Sequence, residues 1–234
     1  MRITGFAAIL ALIVSLTIVP FTNSLEADAM DTSPKKTIDL PGPKHNSRTT
    51  IEQALLERRS QRAYTDKHLT LEEISQLCWA AQGVTSPGGF RTAPSAGALY
   101  PLEVFLAAAD VEGLDPGIYR YQPEDHGLVR EAPGDKTEAL WQAGLHQSAI
   151  KQAPAVFVFT AVFERTMRKY DERGKRYALM EAGHAAQNLC LQGVSLDLAT
   201  VPIGAFDDPR VARTLDLDEN TRPLYLLPVG HAKE

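Results

Sequence analysis

The sequence predicts an α+β domain, in which helices and strands follow one another without the regular alternation of a doubly wound fold. Two patterns carry this prediction. Apolar residues at helical spacing lie between capping signals, as in residues 70–83, and an uninterrupted apolar run over residues 155–163 is typical of a strand buried on both faces. Of the 234 residues, 44% are hydrophobic and 23% are charged, which excludes collagen-like, low-complexity and disordered chains.

The N-terminal residues differ from the rest of the chain. Arg2 precedes an uncharged apolar run over residues 3–20, a pattern typical of a secretory signal or of an uncleaved anchor. A small-x-small site at residues 27–29 permits cleavage after Ala29. We therefore expect residues 1–29 to be a signal peptide or membrane anchor, and the protein to be exported to the periplasm or another extracytoplasmic site.

The folded part is expected over residues 49–234, after a linker. Residues 30–48 contain three prolines and no periodic apolar pattern, which is typical of a tether. A capping-box signal at Thr50 then predicts a first helix of sequence IEQALLERR, with Ile51, Leu55 and Ala54 as the candidates for its inward face.

The later elements follow from the same signals. A capping box at Thr70 begins a second helix, which Gly83 ends. Its expected core residues are Ile74, Leu77, Cys78 and Ala81. The remaining predicted elements are a buried strand over 102–109, a hairpin over 118–130, a helix over 136–147, a buried strand over 155–163, a long helix over 176–198, a helix over 209–215 and a closing strand over 223–230.

One face of the long helix carries a stripe of apolar and polar residues at helical spacing. Its members are Tyr177, Met180, His184, Gln187, Leu191 and Val194. We expect His184 to be a core histidine with satisfied hydrogen bonds rather than a ligand, because no second histidine or cysteine stands at metal spacing. The sequence therefore predicts no metal site.

Charge and cysteine content exclude further classes. The formal net charge is −5, whereas phosphate backbones are bound by basic faces, so we expect no nucleic-acid partner. Two cysteines cannot form a disulfide scaffold or a zinc ribbon. Cys78 and Cys190 both fall on apolar helix faces, and we expect them to behave as small hydrophobes.

A basic cluster follows the first predicted helix: Arg58, Arg59, Ser60 and Arg62. Guanidinium groups bind phosphate oxygens as bidentate forks, and a serine hydroxyl adds a short donor, so the cluster indicates an anion cradle. The alternative interpretation is that basic residues at the end of a helix only complement its dipole.

Two stretches of small residues are further candidates. The first contains Pro94, Ser95, Ala96 and Gly97, and the second contains Gly204 and Ala205. Small residues allow backbone amides to approach a planar or phosphorylated ligand closely, although each stretch alone is also typical of an ordinary turn.

Lys169 and Tyr170 stand in a very polar stretch, RKYDERGKRY. An amine and a phenol side by side can donate and accept a proton if burial shifts them, which makes the pair a candidate for acid–base chemistry. The alternative is a solvated, charged end of a helix.

Taken together and in this order, these motifs resemble the FMN-dependent nitroreductase-like superfamily. The motifs are ERRSQRAYT, TAPSAGALYPLEVFL, KYDERGKRYALMEAGHAAQNLCLQ and VPIGAFDD, with a closing LYLLPVG. Within the superfamily they are most similar to the SagB/ThcOx-type dehydrogenases, whose characterised members oxidise azolines to azoles in peptide natural products. The resemblance covers about residues 51–230. It implies a mixed sheet flanked by helices, a long central helix, and a homodimer with FMN in clefts at the subunit interface.

The resemblance also implies a role for each motif. The basic cluster would hold the FMN phosphate and the pyrimidine edge of the ring, and residues 94–97 would lie along the isoalloxazine. The corner at Gly204 and Ala205 would direct a backbone amide at flavin N5. Lys169 and Tyr170 match the pair to which the azoline oxidases assign proton abstraction. The long helix would pack the dimer, with His184 and Gln187 as scaffold.

We therefore expect an FMN-dependent oxidoreductase that exchanges electrons at flavin N5 with a small-molecule or peptide substrate, including azoline-type dehydrogenation. NAD(P)H or another molecule would be the electron donor. Two alternatives stay open at this point. One is an NAD(P)H-dependent nitro or quinone reductase, and the other is a non-catalytic FMN-binding protein at the membrane.

Overall fold

A computed structural model describes residues 37–233 of the chain. The expected signal peptide or anchor, residues 1–29, lies outside this part. Among residues 37–233, no helix has the length and apolar character that crossing a membrane requires.

Within residues 37–233, seven strands form one sheet. The strands are β1 (Thr37–Asp39), β2 (Leu102–Ala108), β3 (Gly117–Gln122), β4 (Gly127–Pro133), β5 (Ala155–Val162), β6 (Leu198–Thr200) and β7 (Thr221–His231). Their order across the sheet is β1-β4-β3-β2-β5-β7-β6, and every neighbouring pair is antiparallel. A parallel bridge between Ser60 and Thr200 adds a further segment at the β6 edge.

Helices cover both faces of this sheet. They are α1 (Ile51–Glu57), α2 (Leu71–Gln82), α3 (Thr137–Ala143), α4 (Ser148–Gln152), α5 (Phe163–Tyr170), α6 (Arg173–Ser195) and α7 (Asp208–Leu215). Helices α2 and α6 pack on one face, and α3, α4 and α7 pack on the other. The predicted α+β fold with a long central helix is confirmed.

The central strand β5, whose residues are apolar except for Thr160, is buried on both of its faces. Phe157 and Phe159 point into the core shared with α2 and α6, whereas Val156 and Val158 point into the core on the other face. Because successive side chains of a strand alternate between faces, a strand between two helical layers buries every residue. The prediction of burial on both faces is therefore confirmed.

The predicted signals at the ends of α2 are also confirmed. The Thr70 side chain accepts a hydrogen bond from the Glu73 amide, and the Glu73 carboxylate accepts one from the Thr70 amide, at 3.2 and 2.7 Å. Gly83 is the C-cap residue. Ile74 and Leu77 are fully buried, as expected.

The predicted inward face of α1 was right for Ala54 and wrong for its two larger side chains. Ile51 and Leu55 are 64% and 55% exposed, and only Ala54 of this helix is buried. The helix has seven residues and packs on α6 through its small alanine, so its larger apolar side chains face outward.

The middle part of the stripe that was expected to face the core from α6 also faces outward. Met180, His184 and Gln187 are exposed, so the expectation of a core position for His184 was wrong. The buried face of α6 consists mainly of small residues, namely Gly174, Ala178, Ala182, Ala185, Ala186, Cys190 and Gly193. Small residues allow a helix to approach its neighbours closely, and they therefore occupy the face that packs on α2 and the sheet.

The second half of the segment expected to be a linker packs on the domain. Strand β1 pairs with β4, and Leu40 after it is buried. The Pro41 carbonyl accepts a hydrogen bond from the Ser75 hydroxyl of α2 and lies 3.0 Å from Nε2 of His126. These contacts hold residues 37–41 against the sheet edge and α2.

Candidate functional site

The basic cluster lies alongside β6. Arg58 is the C-cap of α1, where its amide donates to the Ala54 carbonyl at 3.0 Å. The chain then runs beside β6, since Ser60 bridges to Thr200 and the Gln61 amide donates to the Thr200 carbonyl at 3.1 Å. Backbone pairing therefore fixes the position of the cluster.

The charges of this cluster are not neutralised. Among residues 37–233, no carboxylate pairs with Arg58, Arg59 or Arg62. Arg59 donates at 2.8 Å to the carbonyls of Leu56 and Arg58. The last turn of α1 has no basic residue, so complementing the helix dipole does not account for all three guanidinium groups. The arrangement suits an anion such as a phosphate.

The corner at Gly204 and Ala205 lies on the same sheet edge. Ile203 exchanges two backbone hydrogen bonds with Leu226 of β7, at 2.8 and 2.9 Å. The Ala205 carbonyl accepts from Nε2 of Gln147 at 2.9 Å. Both corner residues are exposed, and their amides have no hydrogen-bond partner within the part of the chain that the structure describes. The corner therefore offers two free donors.

Space is available above this corner. A Cβ atom placed on Gly204 would meet nothing closer than the Tyr225 ring, at 3.8 Å. The protein's own packing therefore does not require glycine here, whereas close approach of a ligand would.

The loop of residues 94–97 lies against α6 and carries strained backbone. Gly97, Ala98 and Tyr100 have φ values of +63°, +55° and +45°, and left-handed conformations are unfavourable for residues with a Cβ atom. The Tyr100 amide donates to Oγ of Ser95 at 2.9 Å. Asn188 of α6 donates from Nδ2 to the Thr92 carbonyl at 3.3 Å, which anchors the start of the loop.

Lys169 and Tyr170 lie against this loop. They are the last residues of α5, a helix that sequence analysis did not predict, although its apolar residues Phe163, Met167 and Tyr170 recur at helical spacing. A Cβ atom on Gly97 would come within 2.8 Å of the Tyr170 hydroxyl and 3.0 Å of Nζ of Lys169. The Tyr170 ring packs edge-on against Tyr177 with centroids 5.1 Å apart. The structure therefore brings the loop and the pair together.

Tyr170 is half-buried and Lys169 is exposed. Nζ of Lys169 lies 5.5 Å from the centre of the Tyr170 ring. The tyrosine hydroxyl can exchange protons with a ligand above the loop, and the lysine ammonium can offset negative charge beside it.

Sequence analysis missed Glu181, the buried carboxyl behind the loop. Its side chain is 2% exposed, and burial raises its pKa to about 7, although the Ser95 hydroxyl, Arg91 and Gln82 act in the opposite direction. One signal was available in the sequence. Glu181 stands on the same helical face as Ala178 and Ala185, where a charged residue conflicts with an otherwise small and apolar stripe.

None of the predicted site residues lines the large cavity of the domain. This cavity, of about 790 Å³, lies between residues 41–51, α2 and the C-terminal end of α6. In residues 37–233, no three His, Cys, Asp or Glu side chains are grouped to hold a metal ion. The cradle, corner, loop and Lys169–Tyr170 pair are therefore open surface features of one chain.

Comparisons with known proteins place the chain in a family. Residues 55–231 match the Nitroreductase family. A Methanocaldococcus jannaschii protein named as a nitroreductase is 46% identical over 184 residues, covering 79% of this chain and 92% of that protein. The microcin B17-processing protein McbC of Escherichia coli is 32% identical over 166 residues, covering 68% of this chain. The match spans 61% of McbC, which is less than two thirds of its length.

The fold agrees with these relatives. A crystal structure of a nitroreductase from Anabaena variabilis superimposes with a TM-score of 0.75 at 27% identity. The match covers 85% of this chain but only 42% of that longer protein. The resemblance stated from the motifs is therefore confirmed, and the similarity to McbC agrees with the SagB/ThcOx-type branch. The chain is an oxidoreductase that belongs to the nitroreductase family.

Proposed function

We propose that the protein is an FMN-dependent oxidoreductase that withdraws electrons from a small-molecule or peptide substrate, with azoline-type dehydrogenation as its reaction class. The observation that carries the proposal is the group of unpaired guanidiniums on the same sheet edge as the two free amides of the corner. An anionic, planar cofactor needs both features.

The residues present fit FMN. Arg58, Ser60 and Arg62 would hold the phosphate, because their charges and hydroxyl have no competing carboxylate in residues 37–233. The open corner at Gly204 would admit the ring edge, and its free amides would donate to it. FMN supplies a two-electron acceptor, and the other tasks fall to side chains of this chain.

Among those side chains, Tyr170 and Lys169 would manage the proton. Dehydrogenation removes a hydride and a proton from the substrate, and the hydride would go to the bound FMN. The Tyr170 hydroxyl would take part in accepting that proton, and the Lys169 ammonium would offset the negative charge that develops beside it. Gly97 leaves space for both groups at the loop surface.

A homodimer is part of the proposal. Large apolar side chains are exposed on two helices that pack together: Ile51, Leu55 and Leu56 on α1, and Leu179 and Met180 on α6. Large apolar side chains left exposed on helix faces are typical of protein interfaces. A second copy would cover it and bring its own half-sites beside those of the first, with FMN in clefts at the subunit interface. We also retain the proposal that the protein is exported.

The first experiment is an absorption spectrum of the purified protein before and after heat release of its chromophore. We expect a yellow protein that releases about one FMN per chain. A colourless protein that takes up no added FMN would contradict the proposal. Bound FMN that neither NAD(P)H nor a chemical reductant with an acceptor can cycle would instead favour a non-catalytic flavin carrier.

The second experiment separates dehydrogenation from reduction. Similarity to McbC supports a substrate in a processed peptide, whereas 46% identity to a protein named as a nitroreductase supports NAD(P)H-dependent reduction of nitro compounds or quinones. The variant Tyr170→Phe should slow oxidation of an azoline-containing peptide by 10²-fold or more. Tyr177→Phe, on the neighbouring ring, is the matched control. If both variants oxidise the peptide at the wild-type rate, Tyr170 takes no part in the mechanism and the reductase is favoured.

A further inference from the structure

Glu181 is the least expected side chain of the structure. It is 2% exposed, on the face of α6 that packs into the core. Within residues 37–233, neither carboxylate oxygen has a hydrogen-bond partner at normal distance and angle. A buried carboxyl without hydrogen-bond partners destabilises the folded state, so its presence calls for a specific role.

Polar groups from two other segments surround Glu181. Ser95 and Arg91 come from the loop before β2, and Gln82 comes from the end of α2. Nε2 of Gln82 and Nε of Arg91 are also buried without partners. The other nitrogens of Arg91 are engaged by Glu124 at 2.8 Å and by Oε1 of Gln82 at 3.2 Å. Arg91 is therefore paired with Glu124 and does not neutralise Glu181 as a dedicated partner.

Other titratable side chains are buried in the same core. Burial raises the pKa of Cys78 on α2 and of Tyr121 on β3, which keeps both uncharged. On α6 itself, the neighbouring titratable residues are the half-buried Tyr177 and the exposed His184, one turn away on either side. Within the described chain, Arg91 is the charged side chain whose field acts on Glu181.

Ser95 is the neighbouring side chain that links this carboxyl to the candidate site, because its hydroxyl favours the ionised form and so opposes the rise that burial causes in the pKa of Glu181. Ser95 stands two residues before Gly97, which lies against Lys169 and Tyr170. The Ser95 oxygen accepts from the Tyr100 amide at 2.9 Å, so its own proton is free to point to Glu181 when the carboxyl is ionised. When the carboxyl is neutral, it becomes a donor instead. Each protonation state therefore imposes a different hydrogen-bond pattern on the loop.

We propose that Glu181 is a positioning residue that takes up a proton when flavin binds and, through Ser95, couples that proton to the conformation of loop 94–97. The inference rests on the proposed function, because it takes the loop to lie along the flavin ring. A ring above the loop excludes water, which favours the neutral carboxyl. The proton comes from solvent and returns to it when the flavin leaves.

Reciprocal linkage gives the expected result. Flavin should bind more tightly at pH values where Glu181 already carries its proton. If binding shifts the titration by about one pH unit, the FMN dissociation constant of the wild-type protein should rise about tenfold between pH 6 and pH 8.5. In Glu181→Gln, which is neutral at every pH, that rise should be lost. Glu164→Gln, an exposed carboxylate on α5, is the matched control and should keep the wild-type profile.

Binding measured by quenching of FMN fluorescence gives these profiles on the full chain. Ionisation of the FMN phosphate affects all three proteins alike and cancels in the comparison. Calorimetry in two buffers of different ionisation enthalpy counts the protons directly. Near pH 7.5 the wild-type protein should take up a fraction of a proton more than Glu181→Gln on binding FMN.

The outcomes are distinguishable. Equal pH profiles and equal proton uptake in wild type and Glu181→Gln overturn this inference and leave the proposed function intact. Failure of every variant to bind FMN at any pH overturns the proposed function, and this inference with it. If Glu181→Gln does not fold, Ser95→Ala decides. This variant retains the Glu181 carboxyl but lacks the Ser95 hydroxyl through which the carboxyl would act on the loop. Loss of the pH dependence of FMN binding would support the coupling, and an unchanged pH dependence would overturn the inference.

Discussion

The two halves of the candidate site are held in place by different means. The cradle and corner are fixed by backbone pairing, through the bridges from Ser60 to Thr200 and from Ile203 to Leu226. Their guanidiniums and amides stay exposed. The loop with Lys169 and Tyr170 is fixed by left-handed backbone and by packing on the polar core around Glu181.

Both halves contact α6, but at different points. In the cradle half, burial raises the pKa of the Cys190 thiol, and the positive charge of Arg58 acts in the opposite direction. In the loop half, Tyr170 packs on Tyr177. Cys190 and Tyr177 are thirteen residues apart, which is about 20 Å along a helix. The difference implies that side chains of the cradle serve the ligand and contribute little to the fold, whereas those of the loop serve both. The predictions below test this division.

The largest effect is expected from removing charge in the cradle. Arg58→Ala combined with Arg62→Ala should weaken FMN binding 10²- to 10⁴-fold, because two charge-assisted hydrogen bonds contribute about 1.5–3 kcal/mol each. The unfolding free energy should change by less than about 1 kcal/mol, since neither guanidinium has an ion-pair partner in residues 37–233. Equilibrium binding and urea unfolding measure the two quantities.

The control for this pair is Arg213→Ala, which removes one exposed charge from α7. It should leave FMN affinity within twofold of wild type. Comparable losses in this variant would show that overall charge, rather than the cradle, attracts the cofactor.

The next effect concerns stability and pH in the loop half. Burial raises the pKa of Glu181 to about 7 from the usual 4.5, so the folded state binds this proton more tightly than the unfolded chain does. The resulting stabilisation is fully present below about pH 4.5 and is lost as pH rises through 7. A shift of this size corresponds to about 3 kcal/mol. The unfolding free energy of Glu181→Gln should lack this decline, measured against wild type from pH 5 to 8.5.

The same contrast shows what the sequence could predict. Capping signals and strand runs are local, and they located α2, β2 and β5 correctly. The cluster at Arg58 and the corner at Gly204 are also contiguous in sequence, so their residues could be named in advance. Faces were harder to predict, because an apolar residue such as Ile51 suits a core and a partner surface equally.

Contacts between distant segments could not be predicted from these patterns. Gly97 meets Tyr170 only because α5 folds back beside the loop, and Glu181 meets Gln82 and Ser95 only because α6 packs on both. The α6 stripe was assigned inward for a related reason. Its buried face consists mainly of alanine and glycine. These residues are only weakly hydrophobic, so they contribute little to the apolar periodicity from which a buried face is predicted.

Two glycines provide a matched test at smaller scale. Gly97→Ala should lower the unfolding free energy by about 1–2 kcal/mol, because it forces a Cβ into left-handed backbone and to 2.8 Å from the Tyr170 hydroxyl. Gly204→Ala should leave stability unchanged, since its Cβ meets only the Tyr225 ring at 3.8 Å. It should nevertheless weaken FMN binding by covering the corner. Equal stability losses in both variants would contradict the division between the two halves.

The smallest effect is expected at Arg59, and it tests where the cradle ends. Its guanidinium already donates to the carbonyls of Leu56 and Arg58 at the end of α1, so it is less available to a ligand than its neighbours. Arg59→Ala should lower the unfolding free energy by about 0.5–1 kcal/mol and weaken FMN binding less than threefold. A loss of affinity as large as that of Arg58→Ala would mean that the side chain leaves the helix end when FMN binds. The cradle would then be assembled by its ligand, and backbone pairing alone would not explain its geometry.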